Sequence, residues 1–355
     1  MKSTLETLIF ATLLALLLPL NATAHDPDYS SDFDRSLCTF TSVGSSPYFP
    51  LWPGYSLVLE GEDEDDEGEM VEISAVLTVL SETELVDGVL TRVFEERESE
   101  DGDLVEVSRN FVALCRETGD LWYFGEEVDD FEDGEIVGHG GAWRAGVNGA
   151  KPGILQPGNP LVGARYFEEE APGVALDQAE VLSEHNEVTV PAGTFTDVIE
   201  ILDTNLLDPE SEGDIKLYAP GVGLIKDEAL ELIEIVPPDC QPDATTLCLN
   251  NGRFQVRVDF TVGDEEGVGQ ALLPSDDSGE FWFFQPNNTE LIVKVLDACS
   301  LPDFNSFWVF AAGLTNVELT LEVTDTLAGI TREYDNDPQH PFEPVQDTQA
   351  FQTCP

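Results

Sequence analysis

The side chains best suited to gripping a ligand lie in one window, GGAWRAGVNGAKPGILQPGNPLVGARY, residues 140–166. Asp and Glu make up 71 of the 355 residues, yet none lies between Glu135 and Glu168. The same window carries Arg144, Lys151 and Arg165, out of only 15 Lys and Arg in the chain. A guanidinium can hold a carboxylate or phosphate through two parallel hydrogen bonds. Dense glycine lets backbone amides approach a ligand closely, and Trp143 and Tyr166 add stacking faces. A second stretch, Ser36–Leu59, is also free of acids and holds Tyr48, Phe49, Trp52 and Tyr55. If the two stretches meet, Tyr48, Trp52, Trp143, Arg144, Lys151 and Arg165 form an aromatic, cation-edged patch in a negative field. Such a patch suits a glycan, a peptide or a small anionic ligand. The competing reading is structural: the loop lies on a sheet, where unpaired carboxylates are costly, and its cations pair with acids on neighbouring strands.

Other chemistry finds less support. The four His (His25, His139, His185 and His340) show no zinc-motif spacing, and there is no H-E-x-x-H or C-x-x-C. No G-x-S-x-G elbow, P-loop or dinucleotide fingerprint occurs. A carboxylate pair of the glycosidase kind needs only two acids, and the sequence offers too many to choose between. The run Glu62–Glu67 supplies oxygen ligands, but an EF-hand register from Asp63 places Ser74 where the bidentate Glu belongs. No metal ligand set is therefore assigned, with calcium the one cofactor left open. The reading is of a non-catalytic protein, with an apolar-ligand carrier or a carboxylate-based hydrolase of extracellular polymer as alternatives.

The elements that must position these residues are strands. Val71, Ile73, Ala75, Leu77 and Val79 alternate with other residues, as do Phe254, Val256, Val258 and Phe260, and Val317, Leu319, Leu321 and Val323. Period-2 alternation puts one face in a core and the other in water. Asp87-Gly88, Asp101-Gly102 and Asp133-Gly134 read as hairpin turns. Only LDQAEVLSE, residues 176–184, reads as a helix. The fold class is all-β: an antiparallel meander over 37–235, then an antiparallel β-sandwich over 236–355, joined at the Pro-rich EIVPPDCQPDATT, residues 234–246. Aromatics in EFWFFQPNN and SFWVF are expected to fill the sandwich core, with some rings at an interface.

The N-terminus, MKSTLETLIFATLLALLLPLNATA, reads as a secretory signal peptide over residues 1–24 with a small-residue cleavage site. Residues 25–36 read as an exposed leader. No later stretch is long and apolar enough to span a bilayer, so the mature chain is expected to be exported, to the periplasm or the outside. Six Cys in an exported chain imply disulfides. Cys38–Cys115 is expected in the first domain. In the second, Cys240–Cys354 with Cys248–Cys299 is favoured because it ties the domain ends together. The net charge of −56 is unaltered by losing Lys2 and Glu6. It fits a hydrated, halophilic-type surface screened by salt and excludes nucleic-acid binding, which needs a basic face.

Two resemblances add to this. YFPLWPGYSLVLEG, LWYFGEEVDDFEDG, WRAGVNGAKPGILQPGNPLVG, VTVPAGTFTDVIEI and YAPGVGLIKDE, in order over about 47–235, resemble an uncharacterised β-rich domain of exported bacterial proteins. LCLNNGRFQVRVDF, SGEFWFFQPNNTELIVKVLDAC, FWVFAAGLTNVELTLEVTDT and VQDTQAF, over about 240–354, resemble an uncharacterised accessory β-sandwich module of secreted bacterial proteins. The resemblance implies architecture and compartment, and assigns no residue a role.

Overall fold

The computed structural model describes residues 29–64, 68–301 and 304–354. The predicted signal peptide, the start of the leader and part of the Glu62–Glu67 run lie outside them. The described chain is all-β and antiparallel, apart from one short 3-10 turn at Arg35–Leu37 and an isolated parallel bridge.

The first body opens with β1 (Phe40–Thr41), the small hairpin β2 (Gly44–Ser46) and β3 (Phe49–Leu51), and β4 (Ser56–Glu64). Four long strands follow: β5 (Met70–Val86), β6 (Val89–Glu100), β7 (Asp103–Cys115) and β8 (Leu121–Glu132). Short pieces come next: β9 (Glu135–Gly138), β10 (Trp143–Arg144), β11 (Lys151–Gln156), β12 (Arg165–Phe167) and β13 (Glu169–Glu170). A last meander holds β14 (Asp177–Val190), β15 (Gly193–Asn205), β16 (Asp214–Ala219), β17 (Gly223–Asp227) and β18 (Leu230–Val236). The hairpin turns are as read: the Asp-Gly pairs at 87–88, 101–102 and 133–134 all take positive φ, the backbone that matches strand twist in a two-residue turn.

These strands form one sheet in the order β12-β14-β15-β16-β17-β18-β4-β5-β6-β7-β8-β11-β13. Its two ends are the two halves of a single segment. Residues 165–167 pair with β14, while residues 169–170 pair with β11. The sheet therefore curls into a nearly closed barrel with residues 165–170 as its seam. Gly153 is required there, since a Cβ would meet the Phe167 and Glu168 carbonyl oxygens at 2.4 and 2.5 Å. The meander is thus correct but is rolled up, and the 176–184 helix is replaced by strand. Its register against β15 puts Ala179 and Val181 in the core and alternates them with more exposed neighbours.

Over its described part, 29–36, the leader alternates exposed and half-buried residues. Ser30 donates its amide to Arg165 O at 3.0 Å and accepts from the Phe167 amide at 2.9 Å, so it lies along the seam. Phe33 packs edge-on against Trp122.

The second body has its own core. One sheet holds β19 (Leu247–Leu249), β20 (Phe254–Val262), β21 (Glu265–Val268), β26 (Glu318–Asp325) and β27 (Ile330–Asn336). The other holds β22 (Gln270–Ser275), β23 (Ser278–Trp282), β24 (Leu291–Asp297), β25 (Phe307–Gly313) and β28 (Val345–Phe351). Phe254 meets Phe307 and Phe351 at 4.8 and 5.1 Å between them. Phe281, Phe283 and Phe307 fill the core, while Phe284 is exposed and Trp308 packs on exposed Phe304 outside it.

Cys38 is bonded to Cys115. The other two pairings differ from expectation: Cys240 joins Cys248, and Cys299 joins Cys354. Strand register is the reason. Phe307 of β25 lies opposite Phe351 of β28, which brings the tail beyond Phe351 to the β24–β25 connection holding Cys299. Cys240 then meets its near neighbour Cys248.

Candidate functional site

The residues singled out in the sequence do not form one patch. Arg144 pairs with Glu127 at 2.6 Å and Glu84 at 3.7 Å, and its guanidinium lies 4.4 Å from the centre of the Phe111 ring. Lys151 pairs with Glu170 at 3.0 Å and Arg165 with Glu180 at 2.9 Å. Trp143 is buried, edge-on to Tyr123 at 5.3 Å. Tyr48 donates its hydroxyl to Asp197 O at 3.1 Å. Trp52 lines a depression on the second body with Pro242, Thr246 and Leu273. The expected patch is corrected to three ion pairs along the barrel and two aromatic anchors. Within the window, β10 to β12 help build the barrel wall and seam, with Trp143, Ala145, Ala150, Ile154 and Tyr166 buried, while the loops between them are largely exposed. The 36–59 stretch is acid-free because it is core: Phe49 packs on Phe94 at 4.9 Å, and Leu51, Leu57 and Leu59 are buried.

Part of the window does border a concavity. β8 carries Gly125, where a Cβ would meet Trp143 O at 2.5 Å, so β10 lies tight against it. The turn after β10 is closed by Gly146 N donating to Ala150 O at 2.9 Å. Beside it opens a cleft of about 280 Å³ lined by Glu126, Glu127, Trp143, Arg144, Val147 and Val174, among others. The Trp143 indole nitrogen has no hydrogen-bond partner. Glu126 is pushed up to about 7 by burial, against the hydrogen bond from Tyr123, which lowers it.

A second feature was missed in the sequence: the barrel interior is charged. Lys216 on β16 lies 3.1 Å from Asp203 and 3.7 Å from Asp227. Around them stand Glu96, Glu98 and Glu168. Burial pushes Glu96 up to about 8, with Glu98 adding to the rise and Lys216 opposing it. Glu106 is pushed up to about 7 by burial and by Glu98 and Asp130. Burial alone would lower the Lys216 ammonium, but Asp203 and Asp227 outweigh it and hold it well above its ordinary value. A cavity of about 90 Å³ lies among Glu96, Asn110, Gln156, Lys216, Tyr218 and Asp227. It explains why Lys216, enclosed by the barrel, still keeps 27 % of its side chain accessible. Gln156 is 1 % exposed, and neither of its amide atoms has a partner. The signal was present: in Phe94-Glu-Glu96-Arg-Glu98, strand period places Glu96 and Glu98 on the face of buried Phe94.

Two other clusters lack the required geometry. Ser183, His185 and Glu200 meet, but Ser183 Oγ and Glu200 Oε2 both contact the same His185 Nε2, at 3.1 and 2.9 Å. A nucleophile relay needs the hydroxyl on one ring nitrogen and the acid on the other. Among the described residues, only Cys38, Cys115 and Glu117 bring three His, Cys, Asp or Glu ligand atoms within 4.8 Å of one another, and there the two sulfurs are bonded to each other. No helix of the described residues is long and apolar enough to cross a membrane. No family model, curated protein or solved structure matches the chain.

Proposed function

We propose that this chain is an exported, non-enzymatic binding protein whose ligand is a small, hydrogen-bonding molecule held at the Trp143–Arg144 cleft. The observation carrying this reading is the cleft itself, about 280 Å³, at the lower edge of small-molecule sites. It joins apolar walls from Val147 and Val174 to polar groups at Glu126, Glu127 and Arg144. Because Arg144 is already paired with two carboxylates, the cleft favours a neutral ligand, such as a sugar or a short peptide backbone, over a free anion. The three disulfides support export, as does the leading apolar segment.

Two interior spaces are small, although a wider hollow of about 560 Å³ lies by Asn251, Arg253 and Asp297. The apolar space by Phe49, Leu77 and Leu224 is about 20 Å³, which no acyl chain enters. The lumen, at about 90 Å³, does not hold a sugar ring between carboxylates.

The test is a glycan and short-peptide array on the disulfide-intact protein, followed by calorimetry of any hit with Val147→Trp, which fills the cleft. Binding abolished by that variant supports the reading. Hits that bind the variant equally well, or none at all, overturn it.

A further inference from the structure

We propose that the barrel lumen is a binding site for one monovalent metal cation, coordinated by Glu96, Gln156 and Tyr218 beside the Lys216 ion pairs. Three observations converge. The lumen contains a cavity of about 90 Å³, room for an ion with two or three waters at about 30 Å³ each. Gln156 is buried at its wall with its carbonyl oxygen and its amide nitrogen both unpartnered. Buried polar groups are seldom left so unless a solvent molecule or an ion serves them. Acidic groups also outnumber the cation there: among the described residues Lys216 faces Asp203, Asp227, Glu168, Glu98 and Glu96, with Asp203 and Asp227 in direct contact.

The kind of ion follows from the ligands. Calcium takes six to eight oxygens, several of them carboxylate. No three carboxylates of the lumen come within 4.8 Å of one another among the described residues. A single carboxylate with an amide carbonyl, a phenol oxygen and water suits a weakly hydrated ion such as sodium or potassium. Asn110, also at the cavity wall, is engaged with Tyr123 and Ser108 and is not needed as a ligand. Water alone is the competing occupant.

The experiment separates this site from screening of the acidic surface. The intact protein is held in about 1 M choline chloride, where surface charge is already screened to about 3 Å. Sodium or potassium chloride is then titrated in over the millimolar range with choline withdrawn in equal amount. Binding to the folded state alone leaves Tm unchanged below Kd and raises it logarithmically above, the folding equilibrium growing about tenfold for each further tenfold in ion concentration. Gln156→Leu is expected to abolish that rise. Should the variant not fold, sodium-23 relaxation of the wild-type protein gives a second reading, with saturable broadening displaced by potassium and not by choline. A flat Tm in wild type, or absence of displaceable broadening, means water only and overturns the proposal.

Discussion

The Tyr123 hydroxyl lies between Asn110 Oδ1 and Glu126 Oε2, the latter at 2.9 Å. Asn110 is oriented by its own amide donating to Ser108 Oγ at 3.2 Å, so both groups facing the phenol are oxygens. One phenol proton serves one of them. The second hydrogen bond needs a proton on Glu126, which agrees with its rise to about 7 by burial. Glu126→Gln supplies that donor permanently. It is expected to match wild type in denaturant midpoint near pH 5.5 and exceed it near pH 8.5. A variant weaker by the same margin at both pH values would refute the shared-proton arrangement.

The lumen sets a wider pH dependence. Glu96 and Glu106, up to about 8 and 7, bind protons more tightly folded than unfolded. Their contribution is complete below the ordinary carboxylate range and is lost as pH rises through 7 to 8. Each proton so bound changes stability by about 1.4 kcal/mol per pH unit within that window. Glu200 acts oppositely, held low by Ser183 and His185, and loses its contribution as pH falls through its lowered value. Stability in low-sodium buffer is therefore expected to peak near about pH 5. A maximum at or above neutrality, found by urea titration at several pH values, would contradict this.

Arg92 is fully buried on β6. It donates Nε to Ser42 O and Nη1 to Ser81 O, both at 2.8 Å, and Nη2 to Asn251 Oδ1 at 2.6 Å. Ser81 lies in the irregular stretch where β5 shifts register between Val79 and Thr83. Burial lowers the guanidinium to about 10, with Asp276 opposing that fall. Arg92→Met leaves those acceptors without a donor and is expected to cost about 3 kcal/mol. It also removes a bond between the two bodies. Wild-type stability in urea would show that water replaces the guanidinium.

The disulfides should differ in worth. Cys38 and Cys115 are 77 residues apart, Cys240 and Cys248 only 8. On the chain-entropy account the first is worth about 4.5 kcal/mol and the second about 2.5. Paired Cys→Ser variants compared by denaturant midpoint should fall in that order. The reverse order would mean that local geometry, not loop closure, decides.

The charge of −56 predicts loss of stability at low salt. Like charges face each other across strands, as Glu98 does Glu106 and Glu106 does Asp130. Tm in choline chloride, which supplies no metal ion, is expected to fall as salt drops from about 1 M to 0.01 M and the screening length grows from about 3 to 30 Å. A constant Tm would remove repulsion as a factor.

Strand alternation and Asp-Gly turns made the all-β class and most of the barrel hairpins readable, because both are local signals. Closure was not readable: it depends on residues 165–170 serving two neighbours, Asp177–Val190 and Lys151–Gln156. The 176–184 segment carried helix-compatible residues, and tertiary pairing overrode them. The missing acids in 136–167 coincide with wall and seam packing only at its strand positions, such as Trp143, Ile154 and Tyr166; the exposed loops between them have no such cause. The lumen acids were hidden by abundance, since Glu96 looks like any other Glu until its strand face is counted against Phe94.

β4 pairs with β5 on one side and with β18 on the other, Leu59 lying opposite both Ala75 and Leu232. During synthesis the first partner follows within a few residues, whereas the second arrives only after residue 230. Through that interval β4 presents an open edge bearing Leu57 and Leu59, the kind of edge that recruits foreign strands. The barrel cannot be completed stave by stave as the chain emerges; its first wall must be kept unengaged until its last wall exists. A chain ending before residue 230 is accordingly expected to aggregate rather than form a smaller barrel.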